Sequence, residues 1–174
     1  MLKRCILVFT EFNNMEILDA IRDKYDPLDD HVRPHITLVF SFESNLVRSE
    51  IERHMVEVLS GVNPFALQLR GIRSNKSNYG NFIFLDVKKG NEEIIDIHNN
   101  LYTGLLEKYK PRWLIENSYK PHMTVGRIDS EEKFQLALDE VADIQDIFQT
   151  EVDKITVEII DQNEDSIIEL EVRL

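Results

Sequence analysis

Arg33-Pro34-His35-Ile36-Thr37-Leu38 returns as Lys120-Pro121-His122-Met123-Thr124-Val125, basic residue for basic residue and apolar for apolar. The two histidines stand 87 positions apart, half of the 174-residue chain. Given the five His, five Pro and six Thr, two copies of Pro-His-x-Thr arise by chance on the order of once in 100,000 such chains. The repeat is therefore signal. Matched local sequence favours matched local structure, and the half-length spacing predicts two lobes related by a pseudo-twofold axis.

Each copy leads out of a polar loop into a strand. In a strand, residues i and i+2 share a face, so His35 joins Thr37 and His122 joins Thr124. Ile36, Leu38, Met123 and Val125 then face the opposite, apolar side. Pro34 and Pro121 suit a strand's first position, where a missing N–H costs least.

Outward from the motifs, strands and helices interleave. Arg4 to Phe12 reads as a strand, and a helix from Met15 to about Lys24 follows, with Asn14 as its cap. His35 to Phe42 is the second strand. A helix opened by Ser44 or Asn45 carries Leu46, Ile51, Met55, Val58 and Leu59 at helical spacing, and Gly61 and Pro64 end it. Strands over Phe65 to Ile72 and Phe82 to Val87 flank the polar loop Arg73 to Asn81. A helix capped by Asn91 runs to about Tyr109, and Pro111 to Lys120 is a loop. The strand His122 to Ile128, a helix to about Ile144, and strands near Val152–Ile160 and Ser166–Val172 complete the order βαβαββαβαββ. The hairpins make this an α+β fold. No flexible linker divides the chain, so residues 1–174 are expected to form a single bilobal domain.

The 20 basic and 32 acidic residues give a formal charge of −12, which argues against charge-driven binding to a nucleic-acid duplex. A local cleft can still be positive, because nearby charges dominate at salt-screened distances. The one cysteine, Cys5, sits in an apolar run and reads as a buried strand residue. The run Cys5 to Phe9 is too short for a signal peptide, and no stretch approaches a membrane span. A cytoplasmic monomer without a membrane partner is expected.

Two His/Thr pairs facing each other would make a symmetrical phosphate site. Each hydroxyl can donate to a phosphoryl oxygen, and each imidazole can take or give a proton near neutral pH. Displacement at phosphorus needs a base beside the attacking oxygen and an acid beside the departing one. Two His supply both. They supply only two metal ligands, and no nearby Cys, HxH or HExxH spacing completes a set, so neither metal nor other cofactor is expected. Arg127 at the end of the second motif strand, and Tyr79 beside Lys76 in the polar loop, are candidate substrate contacts. Trp113 is a candidate to line the cleft. His31, His54 and His98 read as structural.

These residues resemble the 2H phosphoesterase superfamily, named for paired HxTx or HxSx motifs and including bacterial 2′-5′ RNA ligases and 2′,3′-cyclic nucleotide phosphodiesterases. The motif pair, its spacing and the general element order carry the resemblance over most of the chain. It implies two antiparallel sheets with flanking helices around a central cleft. It implies His35 and His122 as acid and base, with Thr37 and Thr124 holding phosphate. It also implies a phosphoric diester hydrolase acting on 2′,3′-cyclic phosphates of nucleotides or RNA ends. RNA 2′-5′ end joining or cleavage, and non-catalytic sensing of a cyclic nucleotide or RNA end, are the alternatives.

Overall fold

A computed structural model describes residues 1–77 and 80–174. In chain order its elements are β1 (Leu2–Phe9), α1 (Met15–Tyr25), β2 (His35–Ser44), α2 (Arg48–Leu59), β3 (Phe65–Ser77) and β4 (Gly80–Lys89). There follow α3 (Asn91–Leu101), a 3₁₀ turn (Gly104–Tyr109), α4 (Arg112–Glu116), β5 (His122–Ile128), α5 (Glu131–Val141), β6 (Phe148–Val152), β7 (Lys154–Ile160) and β8 (Ser166–Arg173).

The strands run β6-β3-β4-β5-β2-β1-β7-β8, each neighbour antiparallel to the next. The two motif strands, β2 and β5, lie at the centre and meet at one register pair, Ile36 with Met123. The two sheets implied by the resemblance are thus the four-stranded halves on either side of this seam. The fold is α+β with the pseudo-twofold expected: β1-α1-β2-α2 repeats as β4-α3-β5-α5. Each connecting helix crosses over. α1 leaves β1 yet packs on β5, and α3 leaves β4 yet packs on β2. The halves are joined by this exchange more than by the seam.

Alternation explains the core. Ile36, Leu38, Met123 and Val125 are fully buried, as are Ile6 and Leu7 in the apolar run of β1. Cys5 is buried, with its thiol on the Val39 carbonyl. No described helix is long and apolar enough to cross a membrane.

Four expectations are corrected. The polar stretch from Arg73 is strand as far as Ser77, because its backbone pairs with Gly80–Phe84 while its side chains stay outside the core. Its tip, including Tyr79, lies outside the described residues. The third long helix stops at Leu101, since Tyr102 turns inward as its C-cap and Gly104 adopts a φ of 47°. The second helix starts at Arg48, because Ser44 still belongs to β2 and accepts a hydrogen bond from Arg4. The strand expected near Val152–Ile160 is β7 on β1, and a further strand, β6 on β3, precedes it, of which only Phe148 and Val152 are buried. Two apolar residues in five give little periodicity to read.

Candidate active site

The β2–β5 seam decides where the motif side chains go. With Ile36 and Met123 paired and buried, the residues on either side of each face the other way. His35, Thr37, His122 and Thr124 accordingly line one cavity of about 710 Å³. Pro34 is anchored behind its histidine: its carbonyl accepts from the Thr10 N–H at 3.2 Å.

The two imidazoles are set identically. His35 Nδ1 lies 2.8 Å from the Arg33 carbonyl, and His122 Nδ1 lies 2.7 Å from the Lys120 carbonyl. A carbonyl only accepts, so Nδ1 carries the proton in both and Nε2 is left with a free lone pair in the neutral ring. Burial lowers the pKa of each. For His122 the nearby Arg73 guanidinium acts in the same direction, against an opposing pull from Asp86. Aromatic contacts hold the rings: His35 sits edge-on to Phe9 at 6.3 Å, and His122 packs on Phe84 at 3.9 Å.

The rest of the lining divides by chemistry. Phe82 and Phe84 stack at 5.7 Å on one side, and Phe40 meets Trp113 at 4.8 Å on another. Arg73 and Lys120 bring positive charge, and Asn75, Ser77, Asn117 and Ser118 bring neutral polar groups. Among the described residues the lining contains no carboxylate, in a chain with 32 acidic residues. The described lining therefore carries positive charge and no negative charge within an acidic molecule, with Asp86 behind it as the counter-ion of Arg73.

This floor is supported by a set of contacts that the sequence did not reveal, and Tyr119 among them also lines the cavity. Beyond Ile36, β2 has parted from β5, and side chains take over its backbone groups. Tyr119 donates its hydroxyl to the Thr37 carbonyl at 2.7 Å, and His98 Nδ1 bonds the Leu38 carbonyl at 2.7 Å. Tyr102 accepts from the Phe40 N–H at 2.9 Å. The rings of His98 and Tyr119 stack in parallel at 3.7 Å. Burial drives the His98 pKa down to about 4, so its ring is neutral near pH 7.

His98 is thus structural, as is His54, whose Nε2 meets the Leu101 carbonyl at 3.0 Å. His31 pairs with Asp165 at 2.8 Å on the surface. Trp113 does line the cleft. Arg127 is exposed at the end of β5 with its guanidinium 5.9 Å from the Phe82 ring, and it is not part of the lining. Arg73, absent from the sequence reading, is. Its signal was hidden because a polar stretch read as a loop gives no facing direction. Among the described residues no three His, Cys, Asp or Glu side chains cluster as metal ligands.

Comparison with known proteins shows the family and the fold. Residues 11–164 match the model of the 2′-5′ RNA ligase superfamily. A candidate phosphoesterase of Bacillus licheniformis is 30% identical over 127 residues, which span 72% of this chain and 71% of that protein. Among solved structures, TT0787 of Thermus thermophilus superposes with a TM-score of 0.64 at 16% identity, over 99% of this chain and 97% of that one. The apo form of E. coli LigT superposes with a TM-score of 0.60 at 14% identity, over 99% and 97%. LigT has also been crystallised with ATP and with 3′-AMP. The chain belongs to the 2′-5′ RNA ligase superfamily, the 2H phosphoesterases.

Proposed function

We propose that this protein hydrolyses 2′,3′-cyclic phosphates of nucleotides or RNA ends, using His35 and His122 as its proton-transfer pair and no metal. The observation that carries the reading is the pair of imidazoles with the same tautomer and free Nε2 atoms, each beside a threonine, in one cleft whose described lining holds no carboxylate. An anion fits there. The nucleotides bound by LigT are ligands of the same class.

In the reaction, Thr37 and Thr124 donate to non-bridging oxygens of the cyclic phosphate. One histidine, neutral, accepts a proton through Nε2 from water as the water oxygen bonds to phosphorus. One ring P–O bond breaks. The other histidine, which enters protonated, gives its proton to the departing ribose oxygen. One water is consumed, the histidines exchange protonation states, and solvent restores them. Positive charge from Arg73 and Lys120 offsets charge gathering on the phosphoryl oxygens. The stacked Phe82–Phe84 face offers a nucleobase an aromatic surface.

The test is turnover of a panel of 2′,3′-cyclic nucleotides in the presence of a chelator, with products resolved chromatographically. Conversion to phosphomonoesters is expected. Activity lost in chelator and restored by zinc would contradict the reading.

A further inference from the structure

The motif histidines present the same atoms to the cleft, but their surroundings differ. On the His35 side the motif's basic residue, Arg33, lies over the Phe9 ring at 4.1 Å, approaches Glu11 at 3.6 Å and is not part of the lining. On the His122 side Lys120 lines the cleft, and Arg73 joins it from β3.

Arg73 is held in place. Its Nε donates to Asp86 at 2.8 Å, and its guanidinium lies 5.0 Å from the Phe84 ring, the ring that packs on His122. Asp86 is in turn the cross-strand partner of His122. Among the described residues the two terminal NH₂ groups of Arg73 have no hydrogen-bond partner. A guanidinium tied along one edge by a carboxylate presents its other edge for two oxygens of a phosphate.

We propose that Arg73 grips the non-bridging oxygens of the substrate phosphoryl group from the His122 side. This rests on the phosphodiesterase reading above and adds to the two threonines a bidentate contact that the described lining supplies on the His122 side and not on the His35 side.

Inorganic phosphate titrated calorimetrically into the intact protein is the first probe. Arg73→Gln is expected to weaken binding about 10- to 100-fold, the range for a lost charge-assisted hydrogen bond or two. Arg73→Lys should lose less, because it keeps the charge but not the fork. Circular dichroism and thermal melting check that each variant folds, and Arg73→Lys decides the case if Arg73→Gln does not fold. Unchanged affinity in a folded variant overturns the proposal, and so does a wild type that binds no phosphate. The second probe is 2′,3′-cyclic AMP. Arg73→Gln is expected to lower kcat/KM on it about 10- to 100-fold, and wild-type kcat/KM in the folded variant overturns the proposal. Absence of turnover in every protein would sink the hydrolysis reading alone, and phosphate affinity would still decide whether Arg73 holds the anion.

Discussion

Each motif histidine binds a carbonyl two residues back through Nδ1–H, which turns Nε2 to the cleft and fixes the tautomer before any substrate arrives. Enclosure then disfavours the imidazolium, so both rings lose their protons below the ordinary value of 6.5. As pH rises, the base becomes available first and the acid is lost next. The kcat/KM profile is therefore expected to be bell-shaped, with its alkaline limb on the acid side of pH 6.5. A rate still climbing above pH 7 would contradict this. The threonines act differently, by donating to oxygens. Thr37→Val and Thr124→Val should each lower kcat/KM by about 10- to 100-fold while Thr→Ser stays near wild type, as read by steady-state kinetics. The residue scale was also the most legible. A His and a Thr two apart at a strand start share a face whatever the rest of the fold does, so the four central residues could be named from spacing. Arg73 could not, because its role depends on which strand it joins.

At the scale of elements, β2 is the strand to explain. Its pairing with β5 is a single register pair, yet it must carry His35 and Thr37 accurately. His98, Tyr102 and Tyr119 hold the backbone groups that β5 leaves free. They come from α3 and the segment after it, where the sequence suggested one long helix and a plain loop. Side chains bonding to backbone leave no periodicity, so this clip was invisible beforehand. It has a pH signature. His98 titrates near pH 4 in the folded protein against 6.5 when unfolded. Its contribution is thus complete above pH 6.5 and is lost as pH falls from there to about 4. The loss amounts to about 3 kcal/mol by linkage. Denaturant unfolding at pH 7 and pH 4.5 should show His98→Gln losing less stability on acidification than wild type, and equal losses would contradict a buried neutral imidazole. Tyr119→Phe should cost about 1 kcal/mol in the same assay by removing the bond to Thr37.

At the scale of the molecule, the exchange of α1 and α3 between halves is what holds two lobes in one register. It depends on a close approach at Gly126, where an added Cβ would lie 3.0 Å from the Tyr25 Cβ and 3.4 Å from its carbonyl oxygen. Gly126→Val should destabilise the protein by about 1–3 kcal/mol through overpacking, measured by chemical denaturation. A neutral result would mean that α1 does not seat on β5 as described. The half-length repeat announced the two lobes, but it could not announce the crossing of the helices, since local sequence does not say which half a helix covers. Both motif strands lie at the centre of the sheet, and the central claim is that their histidines form one unit rather than two sites. The measurement that tests it most directly is kcat on a 2′,3′-cyclic nucleotide, in chelator, for His35→Ala, His122→Ala and the double variant. Groups that act as a unit are grossly non-additive. Each single substitution is predicted to lower kcat by about a thousandfold or more, and the double to add little. A single variant with wild-type turnover, or a double whose loss is the product of the two singles, would contradict the account.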